Sequence, residues 1–224
     1  KFRSYNGKIV FSQRVREILI KNDCVSGIKL EKKCVYSDIV VANCDVNQLF
    51  CDLIPKESRS KEITSKTKGL VPSSSAFIVY LGLKDKLGKN LKYRCSTWFV
   101  PEIDMKAMYS FFLENKMAVN DKFVFCGFPS FHDPMLAPSY GDTMFCIIGA
   151  PFLDRKYWKK NKENIFNNII NRIERLIPNI KSIIEVKDIA TPHTLYRYTL
   201  NYKGAISGWA NLPGQIEISS IPSN

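Results

Sequence analysis

An amphipathic run from about residue 157 to 177 constrains this chain more than any other feature. Ile165, Phe166, Ile169, Ile170, Ile173, Leu176 and Ile177 recur at spacings of three and four, which lines them along one face of a helix, and Pro178 stops it. Such a stripe has to be buried against another element, and the neighbouring segments say which kind. Residues 76–83 are dense in strand-forming side chains and read as a central strand. Residues 123–128, 143–148 and 183–189 read as further strands, with another within 95–99 and a helix over 104–114. Strands and helices in mixed order, without regular alternation, predict an α+β fold: a mixed or antiparallel sheet packed by helices.

The first 55 residues add a small β-rich piece. Residues 8–11, 15–20, 25–30 and 38–42 are rich in Val and Ile, with turn residues Asn22-Asp23 and Ser26-Gly27 between them. Residues 46–54 have helical spacing, with Asp45 as N-cap and Pro55 as terminator. Residues 56–75 are polar and read as a mobile connection or an exposed lid. The expected organisation is therefore 1–55, then 56–201, then a return segment, 202–224.

Composition removes several function classes. The net charge of +12 invites a nucleic-acid reading, but the lysines are scattered and no nucleic-acid partner is expected. The longest apolar stretch, 144–153, contains Gly149 and Pro151, so nothing approaches the roughly 20 residues of a membrane span. Seven cysteines, an odd number without a CxxC pair, read as free thiols in a reducing compartment. His132 and His193 stand far apart with no metal-ligand spacing, so no metal is expected. Residues 82–89 miss the phosphate-loop spacing by one residue, there is no Gly-x-Ser-x-Gly, and no nucleophile–base pair stands out. No catalytic side chain is assigned.

One long segment is left unexplained by these patterns. Ala190-Thr-Pro-His-Thr-Leu-Tyr-Arg-Tyr-Thr199, Lys203-Gly-Ala-Ile-Ser-Gly-Trp-Ala210 and Pro213-Gly-Gln215 crowd aromatics, Arg197 and three glycines into a loop-like run. Glycines there let the backbone approach something flat or bulky.

That segment is the last of six, in order, that resemble the phytoene-desaturase-like flavoproteins, the group of carotenoid desaturases, carotenoid isomerases and retinol saturases. The others are Gly7-Lys-Ile-Val-Phe-Ser-Gln-Arg-Val-Arg-Glu-Ile18, Cys24-Val-Ser-Gly-Ile-Lys-Leu30, Ser37-Asp-Ile-Val-Val-Ala-Asn-Cys-Asp45, Ser75-Ala-Phe-Ile-Val-Tyr-Leu-Gly-Leu83, and Asp133-Pro-Met-Leu-Ala-Pro138 with Thr143. The resemblance implies an FAD-dependent oxidoreductase acting on a long apolar polyene. By resemblance, the main-chain groups of Val15 pair with the adenine edge of FAD. Gly204, Gly208 and Trp209 lie near the flavin ring. Arg197 and Tyr198 contact substrate, with Arg197 either orienting a head group or serving structure. Phe77, Tyr80, Phe125, Phe128 and Phe145 supply either an apolar slot or ordinary core.

The chain has no opening Gly-x-Gly-x-x-Gly, and nothing after Gln215 resembles the closing flavin-facing element. It is thus expected to be a middle portion: part of the FAD domain (1–55), the substrate domain (56–201) and a truncated return (202–224), inactive alone and not retaining FAD. A cytoplasmic location or a peripheral membrane contact suits a bilayer-soluble substrate. Two other readings remain open: an amine-oxidase or protoporphyrinogen-oxidase-like flavoenzyme, and a non-catalytic basic module binding anionic lipid or nucleic acid.

Overall fold

A computed structural model describes residues 1–87, 96–100 and 123–216, in two compact units. One is Lys1–Leu70 with the stretch from Leu212, and the other is Val71–Asn211. The expected 104–114 helix and Cys95 lie outside the described residues.

In the first unit, strands β1 (Glu17–Lys21), β2 (Cys24–Lys29) and β3 (Cys34–Tyr36) form an antiparallel sheet in that order. Lys21 pairs with Cys24 across a two-residue turn whose Asn22 and Asp23 both have positive φ, 51° and 58°. That is the mirror-image turn that matches strand twist, and Asn and Asp tolerate it. Ile18 and Leu30 are buried. Asp45 caps the next segment as expected, its carboxylate accepting from the N–H groups of Asn47 (2.8 Å) and Gln48 (3.2 Å). The segment then widens into a π-helical turn over Gln48–Leu53.

Three expectations in this unit need correction. Residues 8–11 and 38–42 are not strands. They pair with no described strand, and Phe11, Ile39 and Val41 stand exposed. A β-rich composition makes a strand only where a partner backbone is available. Residues 56–75 are not simply a connection either: Lys61–Gly69 forms helix α1. The Ser60 side chain caps it, accepting from the Ile63 N–H, and it packs on the π-helical turn.

Among the described residues, the second unit is a five-stranded antiparallel sheet with one long helix on it. Its strands are β4 (Ser75–Leu83), β5 (Thr97–Phe99), β6 (Val124–Gly127), β7 (Asp142–Ala150) and β8 (Ile184–Ala190), in the order β5-β6-β7-β4-β8. Helix α2 (Arg155–Glu174) starts at Asp154, whose side chain accepts from the Tyr157 N–H at 2.7 Å. A short helix α3 (Ile180–Ile183) leads into β8. The expected stripe is the buried one: Ile165, Phe166, Ile169, Ile170, Ile173 and Ile177 join Phe77, Val79, Leu81, Val124, Met144 and Ile148 in one core. Leu176 is the exception and is exposed. Phe77 stacks on Trp158 with ring centroids 5.8 Å apart.

The run 190–215 is not wholly loop. Pro192–Thr199 forms helix α4, started by a Thr191–Thr194 capping box with Pro192 at its first position. The two compact units divide at 70/71 and at 211/212. Within the second unit, residues 204–210 are bonded alongside 71–75. The Ser75 hydroxyl donates to the Gly204 carbonyl (2.7 Å), and the N–H groups of Ser73 and Ala210 bond Gly208 and Val71 carbonyls at 2.9 Å each.

Candidate functional site

Strand register decides which aromatics are core and which are available. Val79 pairs with Cys146, and Cys146 with Cys126, so odd residues of β4 and even residues of β6 and β7 face α2. Phe77 lies on that side and Phe128 follows β6 into the same core; both are essentially fully buried, so neither lines a slot.

The opposite face carries the remaining aromatics. One row across the sheet reads Trp98, Phe125, Ile147, Ile78, Ala190, and the next Gly127, Phe145, Tyr80, Asp188. Leu195 of α4 covers the Ile78–Ala190 end. Further along that face Trp98 is 53% exposed, Tyr80 45% and Val186 60%, while Phe125 and Phe145 are half-buried. Trp98 and Phe125 pack at 5.1 Å and Phe125 and Phe145 at 6.0 Å, which makes a continuous aromatic strip. Sequence reasoning missed Trp98 and Val186, because only the pairing register reveals that they share a face with Tyr80.

The structure brings five of the expected site residues into one segment of the second unit. On α4, Arg197 and Tyr198 are exposed, and the guanidinium sits over the Tyr198 ring at 5.5 Å. Gly204 has φ +63° and is buried. A Cβ there would come within 2.5 Å of the Pro192 carbonyl, so this glycine is required by internal packing. Gly208 has φ +69°, is exposed, and has open space where a Cβ would point. Trp209 is half-buried and bridges to Pro72. Val15 belongs to the first unit. It is half-buried just ahead of β1, and its N–H and C=O enter none of the described hydrogen bonds.

Electrostatics add little redox or metal chemistry. Among the described residues no group of His, Cys, Asp and Glu could hold a metal, and no helix is long and apolar enough to cross a membrane. The six described cysteines are free. Cys126 and Cys146 face each other with sulfurs 3.7 Å apart, and burial, followed by their hydrogen bond, pushes the Cys126 thiol far up. A hydrogen bond from Lys187 holds the exposed Glu163 carboxyl below its ordinary range.

No family model matches the chain. Curated relatives do. The chain is 26% identical to the 1-hydroxycarotenoid 3,4-desaturase of Flavobacterium sp. (strain P99-3), over 90% of this chain and 40% of that protein. It is 23% identical to the chloroplastic prolycopene isomerase of Daucus carota, over 88% of this chain and 31% of that protein. It is 21% identical to the lycopene-forming phytoene desaturase of Pseudescherichia vulneris, over 85% and 39%. A solved oxidoreductase from Methanosarcina mazei shares the fold, with a TM-score of 0.54 at 17% identity over 84% of this chain and 39% of that one. The chain thus spans two fifths or less of each of these proteins. Over most of its own length the chain is similar to a part of the carotenoid desaturases and prolycopene isomerases.

Proposed function

We propose that this chain is the polyene-cradling part of an FAD-dependent oxidoreductase that desaturates, isomerises or saturates a carotenoid- or retinoid-like substrate. The open aromatic strip carries the reading. A polyene has no ionisable group and no hydrogen-bonding handle along its length, so its site has to be apolar, extended and dry. Trp98, Phe125, Phe145 and Tyr80 offer such a surface, on a rigid sheet whose other face is anchored by α2. The relatives' names, carotenoid desaturase and prolycopene isomerase, support the same substrate class.

FAD, when bound, supplies the redox chemistry that these side chains lack. The residues fit it in part. Val15 has main-chain groups free for an adenine edge, and Gly208 and Trp209 offer an open backbone and a flat ring. Gly204 is committed to internal packing and is not assigned to flavin. Arg197 and Tyr198 stand exposed on α4, where they can meet a substrate end group.

The test uses Trp98 as a reporter. A polyene absorbing where indole emits should quench it on binding. Phe125→Ala should weaken binding roughly thirtyfold, from loss of about 2 kcal/mol of apolar contact, with an unchanged circular dichroism spectrum. Equal affinity for the two proteins would remove the strip from the substrate site.

Peripheral membrane contact in a reducing compartment belongs to the same reading. Lys56, Arg59, Lys61 and Lys68 line a shallow basic hollow in the first unit, with Glu57 as its one carboxylate. Affinity for anionic vesicles, measured by co-sedimentation, should be strong at low salt and fall roughly thirtyfold in Lys61→Gln/Lys68→Gln, at about 1 kcal/mol per lysine. Equal sedimentation of the two proteins would count against it.

A further inference from the structure

We infer that the pocket between the first turns of α2 and the β8–α4 junction is a binding site for a phosphate group, separate from the polyene surface. Arg155, Lys159 and Lys162 form one wall, at positions i, i+4 and i+7 of α2. Ile189, Thr191, His193 and Thr194 line the pocket from the β8–α4 junction, together with Trp158 of α2, around an open hollow of about 230 Å³. Ile189 pairs with Val79 and shares its side of the sheet, so the site lies on the helix side, away from the aromatic strip.

Charge and hydrogen-bonding capacity point to an anion. No carboxylate lines the pocket, and none of its three cations forms an ion pair among the described residues. Of the neighbouring carboxylates, Asp154 caps α2, and Glu163 bonds Lys187 while also feeling the charge of Lys162. Three unpaired cations on one wall repel each other, a cost that an anion would relieve.

Trp158 gives the independent sign of a missing partner. The residue is 2% exposed and lines the pocket, yet its indole N–H has no acceptor among the described residues. A buried donor left unmade is costly and rare in a native protein.

The threonines add one more donor. The Thr191 and Thr194 oxygens each accept a backbone N–H in the capping box and lie 3.3 Å apart, so one hydroxyl proton is shared between them and the other is free. His193 is fixed by donating from Nε2 to the Leu153 carbonyl at 2.7 Å. The wall therefore presents a guanidinium, two ammoniums and a hydroxyl, and the buried indole N–H of Trp158 is an unpartnered donor beside them. That donor-rich set matches a phosphate with its several acceptor oxygens.

Calorimetric titration of the protein with inorganic phosphate tests this directly. Saturable millimolar or tighter binding is expected, weakened about tenfold or more in Lys159→Gln/Lys162→Gln, whose exposed side chains are dispensable for folding. Trp158→Phe, which keeps the ring and removes the N–H, should weaken it about fivefold. Vesicles separate the two sources of the group. If phosphatidic acid vesicles bind better than phosphatidylserine vesicles of equal charge, and phosphate competes, the ligand is a lipid headgroup. If the two bind alike while free phosphate still binds the pocket, it is a soluble phosphomonoester. Absence of saturable phosphate binding, or binding unchanged by both variants, overturns the site and leaves the polyene reading untouched.

Discussion

Phe77→Ala is expected to lower the unfolding free energy by about 3–5 kcal/mol, which in a chain of this size corresponds to a fall in Tm of about 10 °C. Phe77 has no exposed surface, lies in the middle of the α2 core and stacks on Trp158. Its removal deletes an aromatic contact and leaves a cavity that a sheet held on both sides of β4 cannot close. Tyr80→Ala, three residues along the same strand, should change stability by less than about 1 kcal/mol, because Tyr80 is on the open face. Urea unfolding of the two variants measures the difference. Similar losses would mean that the strip is packed core rather than a binding surface.

Asp142→Ala should cost about 3 kcal/mol, through hydrogen bonding instead of volume. The Asp142 carboxylate is buried at the start of β7. It accepts from the Leu87 N–H (2.8 Å) and the Ser130 hydroxyl (3.0 Å), and Lys86 Nζ lies 3.4 Å away. Ser130 in turn accepts from the Thr143 N–H at 3.0 Å. One carboxylate thereby joins the end of β4, the turn after β6 and the beginning of β7. Alanine would strand a buried amide and a hydroxyl together. Asp142→Asn keeps an acceptor and should lose only about 1–2 kcal/mol. Equal losses for the two, in the same urea measurement, would show that packing, not the hydrogen bonds, holds this corner.

Features set by local spacing were legible without coordinates. The α2 stripe, the strands β4, β6, β7 and β8, the Asn22-Asp23 turn and the Asp45 cap each need only a few consecutive residues to declare themselves. Less legible were segments whose state depends on a distant partner. Residues 38–42 have strand composition but no described strand beside them, whereas Cys34–Tyr36, plainer in sequence, is a strand because β2 is there to pair with it. In the 190–215 run, glycines and aromatics hid a helix that the Thr191–Thr194 capping box starts. Of the expected site residues, Arg197, Tyr198 and Gly208 are exposed, while Gly204 is buried against Pro192, a difference that only the packing decides.

By itself the amino-acid order determined the α+β class, the core helix and the likeness to carotenoid desaturases and isomerases, since these follow from periodicity and from short motifs in a fixed succession. Only the tertiary structure decided which aromatics are core and which are available. Phe77 and Tyr80 are alike to any rule based on composition. Their fates differ because strands alternate sides and α2 covers just one of them. The phosphate pocket is tertiary in the same sense: its cations and its threonines are some thirty residues apart in the chain, and packing alone makes them neighbours.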